Sequence, residues 1–348
     1  MPNLTKLKLL ILSLSIFLLV ACFPSNPSQN TEVLLQGRTM GTTYNIKVVA
    51  TKEQLIALKL QQKIDEALKQ VNQEMSTYLE TSEISLFNKS KSIAPVNVSA
   101  GFARVLEESI RLGKLSGGKL DVTVGPLVNL WGFGPEQRPE KVPSDKALSE
   151  TRERVGLHHL ALEGKQLSKK IPNLYIDLST IAKGYGVDVI ADLIESYGFT
   201  HYLVEIGGEM RLNGFKNTGE LWAIAIEKPI LDRSGEERAV HQVIIPKDNA
   251  VATSGDYRNY FEADGQRFSH IIDPDTGKPI NHNLVSVTVI HPSSMTADGL
   301  STALMVMGGD KGMAFAVENN IAALFISKTE NGFDEQFTVK FKQYLKYR

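Results

Sequence analysis

"LVSVTVIHPSSMTADGLSTALMVMGG", Leu284–Gly309, begins as a run rich in β-branched residues and ends as an apolar helix. The opening "LVSVTVI" has the composition of a strand. The second half, "MTADGLSTALMVMGG", places Asp298 and Thr302 four residues apart at what reads as a helix start, just ahead of the apolar run Ala303 to Met307. The ordinary role for an acid there is capping, since it complements the positive end of the helix dipole. Whether Asp298 does more depends on the rest of the chain.

Upstream of this segment, "YLVEIGG", "LWAIAIEKP" and "AVHQVIIP" are further short β-rich runs, from Tyr202 onward. Nearer the N-terminus, "EVLLQGRTMGTTYNIKVVA" alternates apolar and polar residues around a glycine, as two strands or one bulged strand do. Leu55–Asn72 has helical spacing, with Leu58, Ile64, Leu68 and Val71 on one face. A second helix starts near Ser99 and is closed by Gly117 and Gly118. Pro135–Pro143 is a polar loop that could mark a domain boundary; Ser144–Val155 is polar and helical. Another helix, Ile181–Tyr197, follows the strand-like "LYIDL". Helices interrupt strands in no regular order, so the fold class is α+β, with mixed, largely antiparallel sheets flanked by helices.

The chain has 348 residues, enough for a sizeable core, and a formal net charge of −1. That charge gives no electrostatic reason to expect a nucleic-acid partner. Lys6 and Lys8 precede the apolar run "LLILSLSIFLLV", which reads as an export signal and is short for a membrane span. A short transmembrane anchor is the alternative. Cys22, the only cysteine, rules out an intramolecular disulfide. Its "LVAC" context resembles the lipobox of bacterial lipoproteins, in which the cysteine is lipidated and becomes the mature N-terminus. "FPSNPSQN" then reads as a flexible tether.

Several segments carry more glycine and small polar residues than a plain core needs. "GGKLDVTVGPLVNLWGFGP", Gly117–Pro135, suits close backbone approach to a ligand, and equally suits tight turns. "IDLSTIAKGYGVD", Ile176–Asp188, sets Asp177, Ser179, Thr180 and Lys183 across a strand-to-helix junction. Free N–H groups at such a junction suit phosphates, and Lys183 adds positive charge one turn in, although a solvated helix lysine is the plain alternative. Neither a Walker A motif nor GxGxxG occurs.

From about Met40 to about Gly309 the chain resembles the ApbE family, the FAD:protein FMN transferases. The resemblance rests on six ordered motifs: "TMGTTY", "MSTYLETSEISLFN", "DVTVGPLVNLWGFGP", "IDLSTIAKGYGVD", "ATSGDYRNYFE…SHIIDPDTGKPI" and "ADGLSTALMVMG". It implies a T-fold-like architecture and three parts: a lipoprotein signal peptide over 1–21, a flexible tether over 22–30, and the transferase domain over 31–348. It also implies the reaction. FMN passes from FAD to a Thr or Ser hydroxyl of a target protein through a phosphoester bond, and AMP leaves.

The same resemblance implies Mg²⁺ as cofactor, held by Asp298, Thr302 and an oxygen of Thr180, either its side chain or its backbone carbonyl. Mg²⁺ takes hard oxygen ligands, and residues four apart share a helix face, so the pair can reach one ion. His270, in "SHIID", matches the family's proposed general base, with His282 and Asp273 as runners-up; a strand histidine that only hydrogen-bonds a neighbour is the alternative. The matching FAD positions are Met40, Tyr78, Lys119, Leu120, Asp121, Asp177, Lys183 and Ile272. Without the motif context Met40 and Tyr78 read as core. Glu209 is given no role. Implied partners are FAD, acceptor flavoprotein subunits of Na⁺-pumping or Rnf-type membrane redox complexes, and a membrane reached through the lipid on Cys22. The implied location is the bacterial cell envelope, facing the periplasm from the inner membrane. Two other functions fit parts of the pattern: an Mg²⁺-dependent FAD pyrophosphatase, and a lipid-tethered flavin-binding protein without chemistry. A binding module has no need of the Asp298–Thr302 pair.

Overall fold

The computed structural model describes residues 30–134, 142–229, 240–256, 260–263 and 266–346. The signal peptide, Cys22, nearly all of the tether, and most of the Pro135–Pro143 loop lie outside the described residues.

The alternation around the first glycine folds as a hairpin, β1 (Thr31–Thr39) and β2 (Thr42–Ala50), paired from Thr31↔Ala50 to Thr39↔Thr42. Its two-residue turn has Met40 at φ 48° and Gly41 at φ 71°. Positive φ at both positions matches the twist of the flanking strands, and glycine adopts it freely while methionine does so under strain. The helix expected over Leu55–Asn72 is two helices, α1 (Lys52–Ala57) and α2 (Leu60–Met75). They break at Lys59, whose φ is 51°, so Leu58 falls at the corner and Leu55 and Leu60 take the inward places.

Next come α3 (Glu83–Lys89), β3 (Val96–Asn97), α4 (Ala100–Leu115), α5 (Gly125–Leu130) and α6 (Asp145–Arg152). Ser99 caps α4 as its sequence foretells. A small sheet in the order β3-β5-β4 uses β4 (Leu160–Glu163) and β5 (Gln166–Lys169). "LYIDL" joins no sheet. The backbone of Ile176 instead bonds both ways to the Asn88 amide, at 2.8 Å each, and Asp177 N–H donates to the Val122 carbonyl at 2.8 Å. A side chain and a neighbouring loop satisfy the groups that a ladder would have paired. Helix α7 (Ala182–Ser196) follows.

The second half supplies β6 (Tyr202–Ile206), β7 (Glu209–Asn213), β8 (Ile224–Glu227), β9 (Val240–Ile244) and β10 (Ala250–Gly255). Then come the hairpins of β11 (Tyr260–Ala263) with β12 (Gln266–Ser269), and of β13 (Ile272–Asp273) with β14 (Lys278–Pro279). The chain ends with β15 (Leu284–His291), α8 (Ser294–Met307), α9 (Gly309–Glu318), β16 (Ala322–Thr329), β17 (Gly332–Phe337) and α10 (Val339–Lys342). Eight strands form one sheet in the order β1-β2-β6-β7-β10-β15-β16-β17, each pair antiparallel.

Helices α7 and α8 pack on one face. On β16, Ala323 and Phe325 join the core beneath them, whereas Ala322, Leu324 and Ile326 join Trp222, Ile224 and Phe341 on the other face. The central strands are covered on both sides, which explains why every residue of "LVSVTVI" is buried, Ser286 and Thr288 included. The fold is α+β with antiparallel sheets flanked by helices.

Asp298 is not a cap. Helix α8 starts four residues before it, with Ser293 as N-cap. The capping acid is Asp188 on α7, which accepts hydrogen bonds from Ser293 Oγ at 2.7 Å and from the Ser294 and Met295 N–H groups at 3.0 Å. Helices α7 and α8 cross at Gly184, where a Cβ would lie 2.4 Å from the Ser294 carbonyl oxygen and 2.8 Å from Asp298 Cβ. Only glycine permits that approach.

Candidate functional site

The crossing of α7 and α8 gathers charge in the interior. Gly184 N–H donates to Asp298 Oδ2 at 2.9 Å, and Asp298 is 4% exposed. One residue earlier, Lys183 Nζ donates to Glu209 Oε1 at 2.6 Å, the carboxylate arriving from the start of β7. Burial first, then the Glu209 carboxylate, push the Asp298 carboxyl up to about 8, against the pull of Lys183 and the Gly184 N–H. Burial likewise raises Glu209, with Lys183 opposing. Burial works against the Lys183 ammonium, but Glu209 and Asp298 outweigh it and hold its pKa above the ordinary lysine value.

The donor chemistry of these segments suits a hard divalent cation. Thr180 Oγ1 and Glu209 Oε2 are buried and have no hydrogen-bond partner. Thr302 lies one turn beyond Asp298 on the same helix face, its Oγ1 3.1 Å from Ser254 Oγ. With both acids ionised, two carboxylates against one ammonium leave a surplus negative charge that a cation would offset. Among the described residues no group of three or more His, Cys, Asp or Glu side chains could hold a metal. Mg²⁺ belongs to another class of site, with one or two carboxylates and positions left for water and phosphate.

A cavity of about 510 Å³ opens beside the trio, lined by Met40, Met75, Tyr78, Asp177, Ser179 and Lys183 among others. Met40 reaches it from the strained turn, and its side chain lies over Gly186, where a Cβ would sit 2.8 Å from Met40 Cε. Tyr78 is 74% exposed at the cavity, not in the core. Asp177 Oδ1 accepts the Ser179 N–H at 2.9 Å. A larger groove of about 780 Å³ runs between β1 and helices α1 and α2, but none of the expected site residues lines it.

The remaining expected residues form a second group. Lys119 Nζ donates to Asp273 Oδ1 at 2.9 Å and Asp275 Oδ2 at 2.8 Å; burial works against its charge, and the two acids more than offset it. Asp121 is held up by burial, although Thr123 donates to its Oδ1 through both N–H and Oγ1. The Leu120 and Ile272 side chains are packed in apolar clusters, so what they offer a ligand is backbone. His270 follows β12, its ring 6.3 Å from that of Phe133. The Asp177 to Val122 bond links this group to the cavity. Of the runners-up, Asp273 is tied to Lys119, while His282 Nε2 lies 2.9 Å from the Met305 carbonyl and its buried Nδ1 has no partner.

Sequence reading missed Asn88, Asp188, Glu209 and Ser254. Asn88 and Asp188 sat inside quoted motifs, yet their partners lie 88 and 105 to 107 residues away, which spacing cannot show. Glu209 gave no signal beyond following two glycines.

Comparison with known proteins bears on the sequence and the fold as a whole. The family model described as the ApbE family matches residues 40–325. A Vibrio cholerae protein named FAD:protein FMN transferase is 54% identical over 331 residues, covering 95% of this chain and 97% of its own length. Its namesake in Escherichia coli K12 is 41% identical over 320 residues, covering 90% of each. Among solved structures, flavin transferase ApbE from Vibrio cholerae superposes with TM-score 0.84 at 54% identity, covering 91% of this chain and 100% of that one. The apo flavinyl transferase ApbE of Pseudomonas stutzeri gives TM-score 0.84 at 38% identity, over 92% and 98%. Among the described residues no helix is long and apolar enough to cross a membrane.

Proposed function

The chain belongs to the ApbE family and is an enzyme of the FAD:protein FMN transferase kind, and we propose that it works as an Mg²⁺-dependent transferase acting on a Thr or Ser hydroxyl. The observation that carries this is the Asp298–Lys183–Glu209 cluster with the partnerless Thr180 oxygen, set against a flavin-sized cavity. Asp298, Thr302 and Thr180 hold the cation. When bound, Mg²⁺ supplies Lewis-acid neutralisation of the pyrophosphate charge. Lys183, in the first turn of α7, adds positive charge where the helix N-terminus already favours phosphate. Met40, Tyr78 and Asp177 border the flavin; Lys119, Asp121 and the Leu120 and Ile272 backbone complete the FAD site.

His270 takes the proton of the acceptor hydroxyl as its oxygen bonds to the FMN phosphorus. The bond from that phosphorus to the AMP oxygen breaks, and its electron pair leaves with AMP. The lipid on Cys22 tethers the domain to the inner membrane on the periplasmic side, within reach of acceptor subunits of Na⁺-pumping or Rnf-type redox complexes.

Asp298→Asn tests the metal assignment. FAD binding, followed by flavin fluorescence, is expected to persist while Mg²⁺-dependent AMP release disappears. Full AMP release from the variant at low Mg²⁺ overturns the assignment.

A further inference from the structure

Glu209 is assigned neither as a metal ligand nor as an FAD contact above, yet it is 3% exposed and carries a buried oxygen without a partner. We propose that Glu209 is a positioning residue: its carboxylate ties Lys183 beside Asp298 and not onto it, so that Asp298 stays available to a divalent cation. The inference rests on the metal reading given above.

Three elements meet here. Lys183 projects from the first turn of α7, Asp298 from the second turn of α8, and Glu209 from the first residue of β7. The Lys183 ammonium is influenced by both acids, but its hydrogen bond, at 2.6 Å, goes to Glu209 Oε1. Glu205 on β6 is the other acid felt by Lys183; its own oxygens are engaged by Asn45 Nδ2 at 2.6 Å and the Gly208 N–H at 2.8 Å. With Glu209 in place, the lysine has an acid of its own, and once Asp298 gives up its proton to a cation the trio carries one surplus negative charge. Without Glu209, the acid acting most strongly on the half-buried ammonium is Asp298. A lysine–aspartate pair in a low-dielectric interior is strong, and an incoming cation would have to break it.

Mn²⁺ binding to the purified protein without FAD, measured by calorimetry or by the loss of free Mn²⁺ spin signal, tests this through a double-mutant cycle. Glu209→Gln, which keeps shape, is expected to weaken Mn²⁺ binding roughly tenfold, the size of one charge-pair change in a partly screened interior. Lys183→Met is expected to tighten it. The double variant restores the wild-type surplus charge and is expected to bind within about threefold of wild type, a reversal that mere structural damage at Glu209 would not give. Unchanged binding in Glu209→Gln, a double variant as weak as Glu209→Gln alone, or weaker binding in Lys183→Met overturns the inference while leaving the metal site standing. Absence of Mn²⁺ binding in wild type and every variant overturns both.

Discussion

Replacing Gly184 by alanine tests the helix crossing on which the site depends. Helix propensity alone favours the change by about 0.8–1.0 kcal/mol. Packing opposes it. The new Cβ would lie 2.4 Å from the Ser294 carbonyl oxygen, 2.7 Å from its carbon and 2.8 Å from Asp298 Cβ. The first two are backbone atoms of α8 and cannot rotate aside. Reaching even a 3.0 Å contact means parting the helices by roughly 0.6 Å, in a core that resists such shifts. Overpacking of this kind costs about 1–3 kcal/mol, and losing a hydrogen bond to a carboxylate adds about 1.5–3 kcal/mol where it is not remade. With that hydrogen bond lost, the net expectation is a loss of about 1.5–5 kcal/mol, several degrees in thermal midpoint. The lost contact also weakens the hold on Asp298, so the Mg²⁺ concentration for half-maximal turnover rises. Gly186→Ala is the control. Its Cβ meets the flexible tip of Met40 at 2.8 Å, so stability should change little while FAD affinity falls. A Gly184→Ala protein as stable as wild type, with unshifted Mg²⁺ dependence, would refute the geometry.

The remaining predictions concern protons and the anchor. Because Asp298 is pushed up to about 8 in the folded chain from an ordinary 3.8, the metal-free folded state holds a proton that the unfolded chain has released. Chelated protein should therefore lose stability as pH rises from about 4 to 8, and Asp298→Asn should flatten that slope in urea titrations; an unchanged slope contradicts the burial argument. His270→Ala should keep FAD affinity and lose roughly 10²–10⁴ in transfer rate, with part of the rate returning at high pH. Intact transfer would move the role to His282 or Asp273. Cys22→Ser should abolish detergent partitioning of the full chain, and a wild type that never partitions would remove the anchor.

The fold class was legible because strand and helix periods are local. "EVLLQGRTMGTTYNIKVVA" showed its strand character, as two strands or one bulged strand, and folds as the two-strand hairpin, while Ser99 with Gly117 and Gly118 bracketed α4. What failed was local too, where a distant partner overrode it. "LYIDL" has strand composition, but Asn88 and Val122 claim its backbone. Asp298 has the character of a cap, but Asp188 from another helix does the capping and moves the helix start back to Ser294. The motifs marked the segments that meet at the site. They could not show that Lys183 pairs with Glu209, that Lys119 is shared by Asp273 and Asp275, or that Leu120 and Ile272 turn their side chains into apolar clusters. Those outcomes depend on which faces α7, β7 and the β13–β14 hairpin present after packing, and spacing along the chain does not encode that.

The central claim is transfer of FMN to a protein hydroxyl. Its most direct test is the intact mass of an acceptor flavoprotein subunit incubated with this protein, FAD and Mg²⁺, with AMP measured in the same sample. The account predicts an acceptor heavier by one FMN less one water, one AMP per acceptor modified, and no product when the acceptor Thr or Ser is replaced by alanine. Free FMN and AMP in equal amounts beside an unmodified acceptor would contradict it and make the protein a pyrophosphatase; bound FAD with no AMP at all would leave only a flavin carrier.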